Sequence, residues 1–200
     1  MSLRPAPAMA ALLVLSLAAC ATPGVPQQTA PVPVEPSTPV PPLATLSGVP
    51  LHAPMPGVYT SAQPDAGDWM HMPALGIAAV VNLRPRAEVP TRDEAAEVRD
   101  AGLAYIEIPV AGPAAITPEN ARALWQAVQG APGKVLVHCS TGNRAGALMA
   151  LAAHASGMAA GDALALGKSA GLTNLEPVVR QRLGLPAMAC PTGRRTDATC

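Results

Sequence analysis

The chain has 200 residues, 13 of them Lys or Arg and 13 Asp or Glu, so its formal charge at pH 7 is zero, and it holds two Trp, two Tyr and no Phe. A nucleic-acid binder needs a basic footprint and aromatic stacking platforms, and with neither present nucleic acid is excluded as the expected partner. The core has to be built from Ala, Val, Leu, Ile and Met, in a single domain of ordinary size.

Residues 1–20 begin with Met1-Ser2-Leu3-Arg4, continue as an apolar stretch from Met9 to Ala19 and end at Cys20. This is the charged, apolar, small-residue layout of a secretory signal. The apolar stretch is shorter than the roughly 20 residues that a membrane-spanning helix requires. The segment Leu17-Ala18-Ala19-Cys20 resembles the bacterial lipobox, which implies that Cys20 becomes the lipidated first residue of an exported chain facing the periplasm. Ala21, standing where an aspartate would signal retention, implies release toward the outer membrane. Residues 21–56 hold eleven of the 24 prolines. With little charge and no periodicity they cannot bury enough surface to offset their ordering entropy, and read as a tether that reaches on the order of 100 Å. His52 falls in this stretch.

The domain is expected over residues 57–186, followed by a tail at 187–200. Gly57 to Thr60 predicts a short edge strand. Asp65 to Leu75 has helical length, with Asp65 as its cap after Pro64. Ile77 to Leu83 is an apolar, β-branched run that reads as a buried strand. A helix follows from Thr91, its cap, to Ala101. A second buried strand is predicted from Leu103 to Val110. The next helix runs from a Thr117 cap, with Pro118 and Glu119 in its first turn, to Gln129. Lys134 to His138 is the third buried strand. Helical segments then run from Asn143 to Ser156, Gly161 to Ala170, and Asn174, a plausible cap, to Leu183. Strand and helix alternate, which predicts an α/β fold in three αβα layers around a mostly parallel sheet.

The chemistry is expected at Val135-Leu136-Val137-His138-Cys139-Ser140-Thr141-Gly142-Asn143-Arg144-Ala145-Gly146, a strand, a turn and the start of a helix. Ligands of open α/β sheets bind beyond the carboxyl ends of strands. A helix N-terminus there offers unpaired N–H groups and positive potential to an anion, and the same potential stabilises the thiolate of Cys139. Arg144 can present a planar fork to an oxyanion. Gly142 lets the backbone curl its N–H groups inward as a nest.

His138-Cys139 through Arg144 resembles the signature of cysteine-dependent protein tyrosine and dual-specificity phosphatases. Further residues are similar to one branch, the bacterial beta-lactamase-hydrolase-like, dual-specificity-phosphatase-like proteins: Val58 to Pro64, Val81-Asn82-Leu83-Arg84-Pro85 with Glu88, Ile108-Pro109-Val110, and Gly171-Leu172. The resemblance covers about Gly57 to Leu183 and implies a protein-tyrosine-phosphatase-like fold. It implies Cys139 as the nucleophile that forms a phosphocysteine. Ser140, Thr141, Gly142 and Asn143 form the phosphate-binding loop, and Arg144 holds the transferring group. No metal or organic cofactor is required by this scheme. The substrate is a phosphorylated protein or small molecule, and the membrane is met only through the N-terminal lipid.

The chain departs from the family pattern in three places. Four residues separate Cys139 from Arg144 where most relatives have five. Ala145 stands where many have a hydroxyl. The loop Ala111 to Ile116 carries no Asp or Glu to protonate a leaving alcohol. Glu107 and Glu88 are the nearest candidates for general acid, and each also reads as an ordinary solvated or paired carboxylate. The short loop is similar as well to rhodanese-like sulfurtransferases, which would make Cys139 a persulfide carrier. A non-catalytic anion-binding module is a third reading. Arg84 has two: approach to the anion, or pairing with Glu88.

Cys190 to Arg195 repeats the Cys-to-Arg spacing but has neither a strand before it nor a helix after it. With Cys20 lipidated and Cys139 a thiolate, Cys190 and Cys200 remain as a disulfide pair in an oxidising compartment, the alternative being two free thiols in a frayed tail. His154 reads as a packed or surface histidine, and His71 and His138 are too scattered for a zinc site.

Overall fold

A computed structural model describes Leu46 and residues 48–187. Five strands, β1 (Leu51–Met55), β2 (Val58–Ser61), β3 (Ile77–Asn82), β4 (Ala104–Glu107) and β5 (Lys134–His138), form a sheet in the order β1-β2-β5-β3-β4. The β1–β2 pair is antiparallel and the other pairs are parallel. Five α-helices accompany them among the described residues: α1 (Glu94–Asp100), α2 (Pro118–Gln129), α3 (Asn143–Ala155), α4 (Ala160–Ser169) and α5 (Glu176–Arg182).

Strand alternation divides the core into two clusters. Ala79, Val81, Val135 and Val137 turn to one face and pack with Leu124, Leu148, Leu164 and Val179 of α2, α3, α4 and α5. Val80 and Leu136 turn to the other and pack with Trp69, Met72 and Val98. Helical segments thus cover both faces of a mostly parallel sheet, as the three-layer expectation had it. The innermost helix is α3, where every residue from Ala145 to Ala153 is buried. It crosses α4 at glycines. A Cβ on Gly146 would lie 2.3 Å from Leu172 N and 2.6 Å from Gly167 O.

Several boundaries differ from the sequence reading. Residues 51–55, given to the tether, are the edge strand β1, with Leu51 opposite Ser61 and His52 opposite Thr60. Pro54 disguised it, because proline removes a ladder donor and is tolerated only where no partner lies beyond. The strand at Val58 is therefore not the edge. Asp65 to Leu75 is two 3-10 helices, Ala66–His71 and Pro73–Leu75, with Gly76 at φ 76° ending the second. The cap of α1 is Asp93, whose carboxylate accepts from Ala96 N–H at 3.2 Å, rather than Thr91. α5 starts after Leu175 with no side-chain cap from Asn174. The Thr117 cap of α2 accepts from Asn120 N–H at 3.3 Å, as its sequence predicts.

Candidate active site

Cys139 immediately follows β5, and alternation along that strand turns His138 toward Trp69 and Cys139 toward the α3 face. Cys139 is the one cysteine among the described residues; it is free and fully buried. Its Sγ accepts a hydrogen bond from Gly142 N–H at 3.2 Å. That turn requires Gly142 at φ 84°, a conformation that costs any residue with a Cβ. Gly146 N–H to Gly142 O, at 2.9 Å, is the first helical bond of α3, so the N–H groups of Asn143, Arg144 and Ala145 precede the ladder. Ser140 and Thr141 are exposed at the tip of the loop.

Arg144 lies beside this loop with one edge occupied. Its Nη1 and Nη2 donate to the two carboxylate oxygens of Glu88 at 2.7 and 2.8 Å, and Nη1 also donates to Val110 O at 2.9 Å. The contact holds both partners charged. Arg144 bonding brings the Glu88 carboxyl below its usual range, and the same bond raises the guanidinium, with a further contribution from Cys139 nearby. Nε donates to no oxygen among the described residues, which leaves the Nε–Nη2 edge for an oxyanion.

Arg84 pairs with Glu88 rather than reaching the anion loop. Its Nε donates to Glu88 Oε2 at 3.3 Å, Nη2 to Glu88 O at 3.0 Å and Nη1 to Gln63 Oε1 at 2.6 Å. Gln63 Nε2 in turn donates to Glu94 Oε2 at 2.6 Å. Glu94 Oε1 lies 2.9 Å from Nε2 of the fully buried His138, off the axis of an aligned hydrogen bond. Burial pushes the Glu94 carboxyl up, but its contacts with His138 and Gln63 outweigh that and the net direction is down.

The sequence-predicted residues thus divide. Cys139, Gly142, Arg144 and Glu88 come together, with Ser140 and Thr141 at the rim. The Asn143 side chain faces away, its Oδ1 accepting from Thr173 N–H at 2.8 Å and Leu175 N–H at 3.3 Å, so it anchors the α4–α5 connection to the loop. Glu107 ends the edge strand β4, exposed, two strands from β5. An ionised Glu88 is the wrong form for donating a proton. Gln63 and Glu94 were missed. In sequence, Gln63 is a loop amide and Glu94 an ordinary acidic first-turn residue. His154 is exposed, with Nδ1 2.9 Å from Met158 O. Cys20, Cys190 and Cys200 lie outside the described residues.

A family model described as beta-lactamase hydrolase-like protein, phosphatase-like domain, matches residues 53–156. The chain is 39% identical over 95 residues to a beta-lactamase hydrolase-like protein of Xylella fastidiosa, a stretch that covers 46% of this chain and 22% of that protein. It therefore spans less than a quarter of that relative's length. A candidate phosphatase of Neisseria meningitidis superposes with a TM-score of 0.57 and 23% identity, over 66% of this chain and 96% of that one. One from Shewanella putrefaciens gives 0.53 and 23%, over 70% and 95%. The fold is the αβα phosphatase fold.

Proposed function

The chain belongs to the phosphatase-like domain family of beta-lactamase hydrolase-like proteins, and we propose that it is a cysteine-dependent phosphatase working through a phosphocysteine. In this reading Cys139 Sγ attacks phosphorus, an S–P bond forms as the ester P–O bond breaks, and the leaving oxygen departs. Water then attacks phosphorus, breaking the S–P bond and releasing phosphate and the thiolate. The backbone N–H groups of the loop and the Nε–Nη2 edge of Arg144 stabilise charge on the transferring oxygens. The observation that carries the reading is that edge, left unbonded by oxygens of the described residues, beside a thiol that already accepts an N–H from the loop.

No carboxylic acid in the 111–116 loop stands ready to protonate the leaving oxygen, so aryl phosphates, whose oxyanions leave unaided, are the favoured substrates. A phosphorylated protein or small molecule is the natural substrate class. Export and anchoring through Cys20 belong to the same proposal, supported by the signal-like layout of residues 1–20.

The test assays the reduced full chain with para-nitrophenyl phosphate and, in parallel, with thiosulfate and cyanide, as wild type and Cys139→Ser. Residues 51–55 belong in any such protein, because they are a strand of the sheet. Phosphate release that Cys139→Ser abolishes supports the proposal. Thiocyanate formation without phosphate release replaces it with sulfur transfer, and silence in both assays points to an anion-binding module.

A further inference from the structure

We infer that Gln63 and Glu94 are positioning residues for the anion-binding edge of Arg144, acting through a closed ring of polar contacts that ties the two ends of the Cys139 loop together. The inference rests on the phosphatase reading of that loop. The ring runs from His138 to Glu94 (2.9 Å), Glu94 to Gln63 (2.6 Å), Gln63 to Arg84 (2.6 Å), Arg84 to Glu88 (3.3 Å) and Glu88 to Arg144 (2.7 and 2.8 Å). His138 directly precedes the nucleophile and Arg144 ends the loop, so the loop itself closes the ring covalently.

Packing alone does not account for the buried end. Glu94 is 3% exposed and His138 0%, beside a cluster of Trp69, Val80 and Leu136 that would accept an apolar side chain. A buried carboxylate is costly unless its oxygens are met, and here Oε2 accepts from Gln63 while Oε1 lies 2.9 Å from His138 Nε2 without an aligned hydrogen bond. The arrangement also has a direction. A carboxylate only accepts and a guanidinium only donates, so Gln63 has one productive orientation, its NH2 toward Glu94 and its oxygen toward Arg84. Gln63 is the neutral link between a buried acid and an outer cluster of Arg84, Glu88 and Arg144. Its backbone N–H also reaches Ser140 O, at 3.4 Å, in the first step of the loop.

With the Gln63 amide removed, Arg84 loses one of its anchors and Glu88 one source of its fixed position. The Glu88 carboxylate then holds Arg144 less well in its place beside Cys139. Anion affinity falls, although no group touching the anion has changed.

The test measures inorganic phosphate binding to the reduced full chain by titration calorimetry in a double-mutant cycle of Gln63→Leu and Glu88→Gln. Gln63→Leu is expected to weaken phosphate about tenfold in the native background, the size of a lost hydrogen bond to a charged group. In the Glu88→Gln background its effect should shrink below about twofold, since the ring is already open. Should Gln63→Leu fail to fold, Gln63→Asn keeps the amide, one methylene too short to span the gap, and enters the same cycle. Equal factors in both backgrounds, or native affinity in both Gln63 variants, overturn the inference while leaving the site intact. A wild type that binds no phosphate overturns the anion site and this inference with it.

Discussion

Gly146→Ala should destabilise the protein, although alanine is the better helix former. At an unconstrained helical position the change would gain about 1 kcal/mol. Here the added Cβ would lie 2.3 Å from Leu172 N, 2.6 Å from Gly167 O and 2.8 Å from Leu172 Cα. Ordinary contact is near 3.5 Å, so the backbones at the α3–α4 crossing must part by about 1 Å. Overpacking of this kind costs about 1–3 kcal/mol, and with rigid backbone on the far side the upper figure applies. The net loss is about 2 kcal/mol, or about 4–8 °C in Tm for a domain of this size. Thermal unfolding of the reduced full chain, followed by far-ultraviolet circular dichroism, reads it. Gly161→Ala is the control, since its Cβ would meet nothing within 4 Å, and it should gain up to about 1 kcal/mol. The crossing also bears on the loop, because Leu172 adjoins Thr173, whose N–H Asn143 holds. Phosphate affinity should therefore fall together with stability. A Gly146→Ala protein as stable as wild type, or a destabilised Gly161→Ala, would refute the argument.

Asn143→Ala removes the acceptor of two backbone N–H groups and should cost about 1–3 kcal/mol, measured by urea unfolding, with weaker phosphate binding as the loop loosens. Glu88→Gln should lower kcat/KM by the same factor for aryl and alkyl phosphates, because Glu88 clamps Arg144; a loss that grows with the basicity of the leaving group would make Glu88 the acid. Glu94→Gln should destabilise the protein at neutral pH, because the neutral amide accepts more weakly from Gln63 than the carboxylate does. The folded Glu94 carboxyl is lowered, so this stabilisation is present above the unfolded value of about 4.3 and lost as pH falls through the folded one. Urea unfolding from pH 3 to 7 should show the two proteins converging in acid, and a gap that persists there would contradict this reasoning. On the proposed anchoring through Cys20, Cys20→Ser should move the chain from the membrane fraction to the soluble one, read by fractionation and blotting.

The parts of the fold legible in sequence are those in which one periodic signal settles the answer. Lys134 to His138 is a buried strand because it is short, β-branched and followed by a polar turn, and β5 occupies those residues. Thr117-Pro118 opens a helix because the hydroxyl caps and the proline fits the first turn. β1 was hidden because two signals conflict there: Leu51 is buried at 8% exposure, but Pro54 and Pro56 give the segment the composition of the proline-rich sequence that precedes it. The ladder to β2 decides between them, and a partner strand is not local information. The same conflict split Asp65 to Leu75, where helical apolar spacing runs into Pro73 and Gly76.

At the site, the residues within one turn were legible and their partners were not. Cys139, Gly142 and Arg144 sit in a single strand-to-helix turn whose chemistry follows from its order. The contacts that orient Arg144 span 56 residues to Glu88, and those behind it span 21 from Gln63 to Arg84 and 31 from Gln63 to Glu94. Each of these is a common polar side chain with a solvated reading of its own. That difference bears on how the short loop works. On the phosphatase reading, four residues between Cys139 and Arg144 give the cradle one amide fewer, so more of the anion's binding falls to the guanidinium. A guanidinium that carries more of the load gains more from being held before the ligand arrives, since the entropy of fixing a long side chain is then lost in folding rather than in binding. Glu88 and Val110 fix one edge, Gln63 and Glu94 fix what fixes Glu88, and the short loop is on this argument the reason that the chain carries so extended a support.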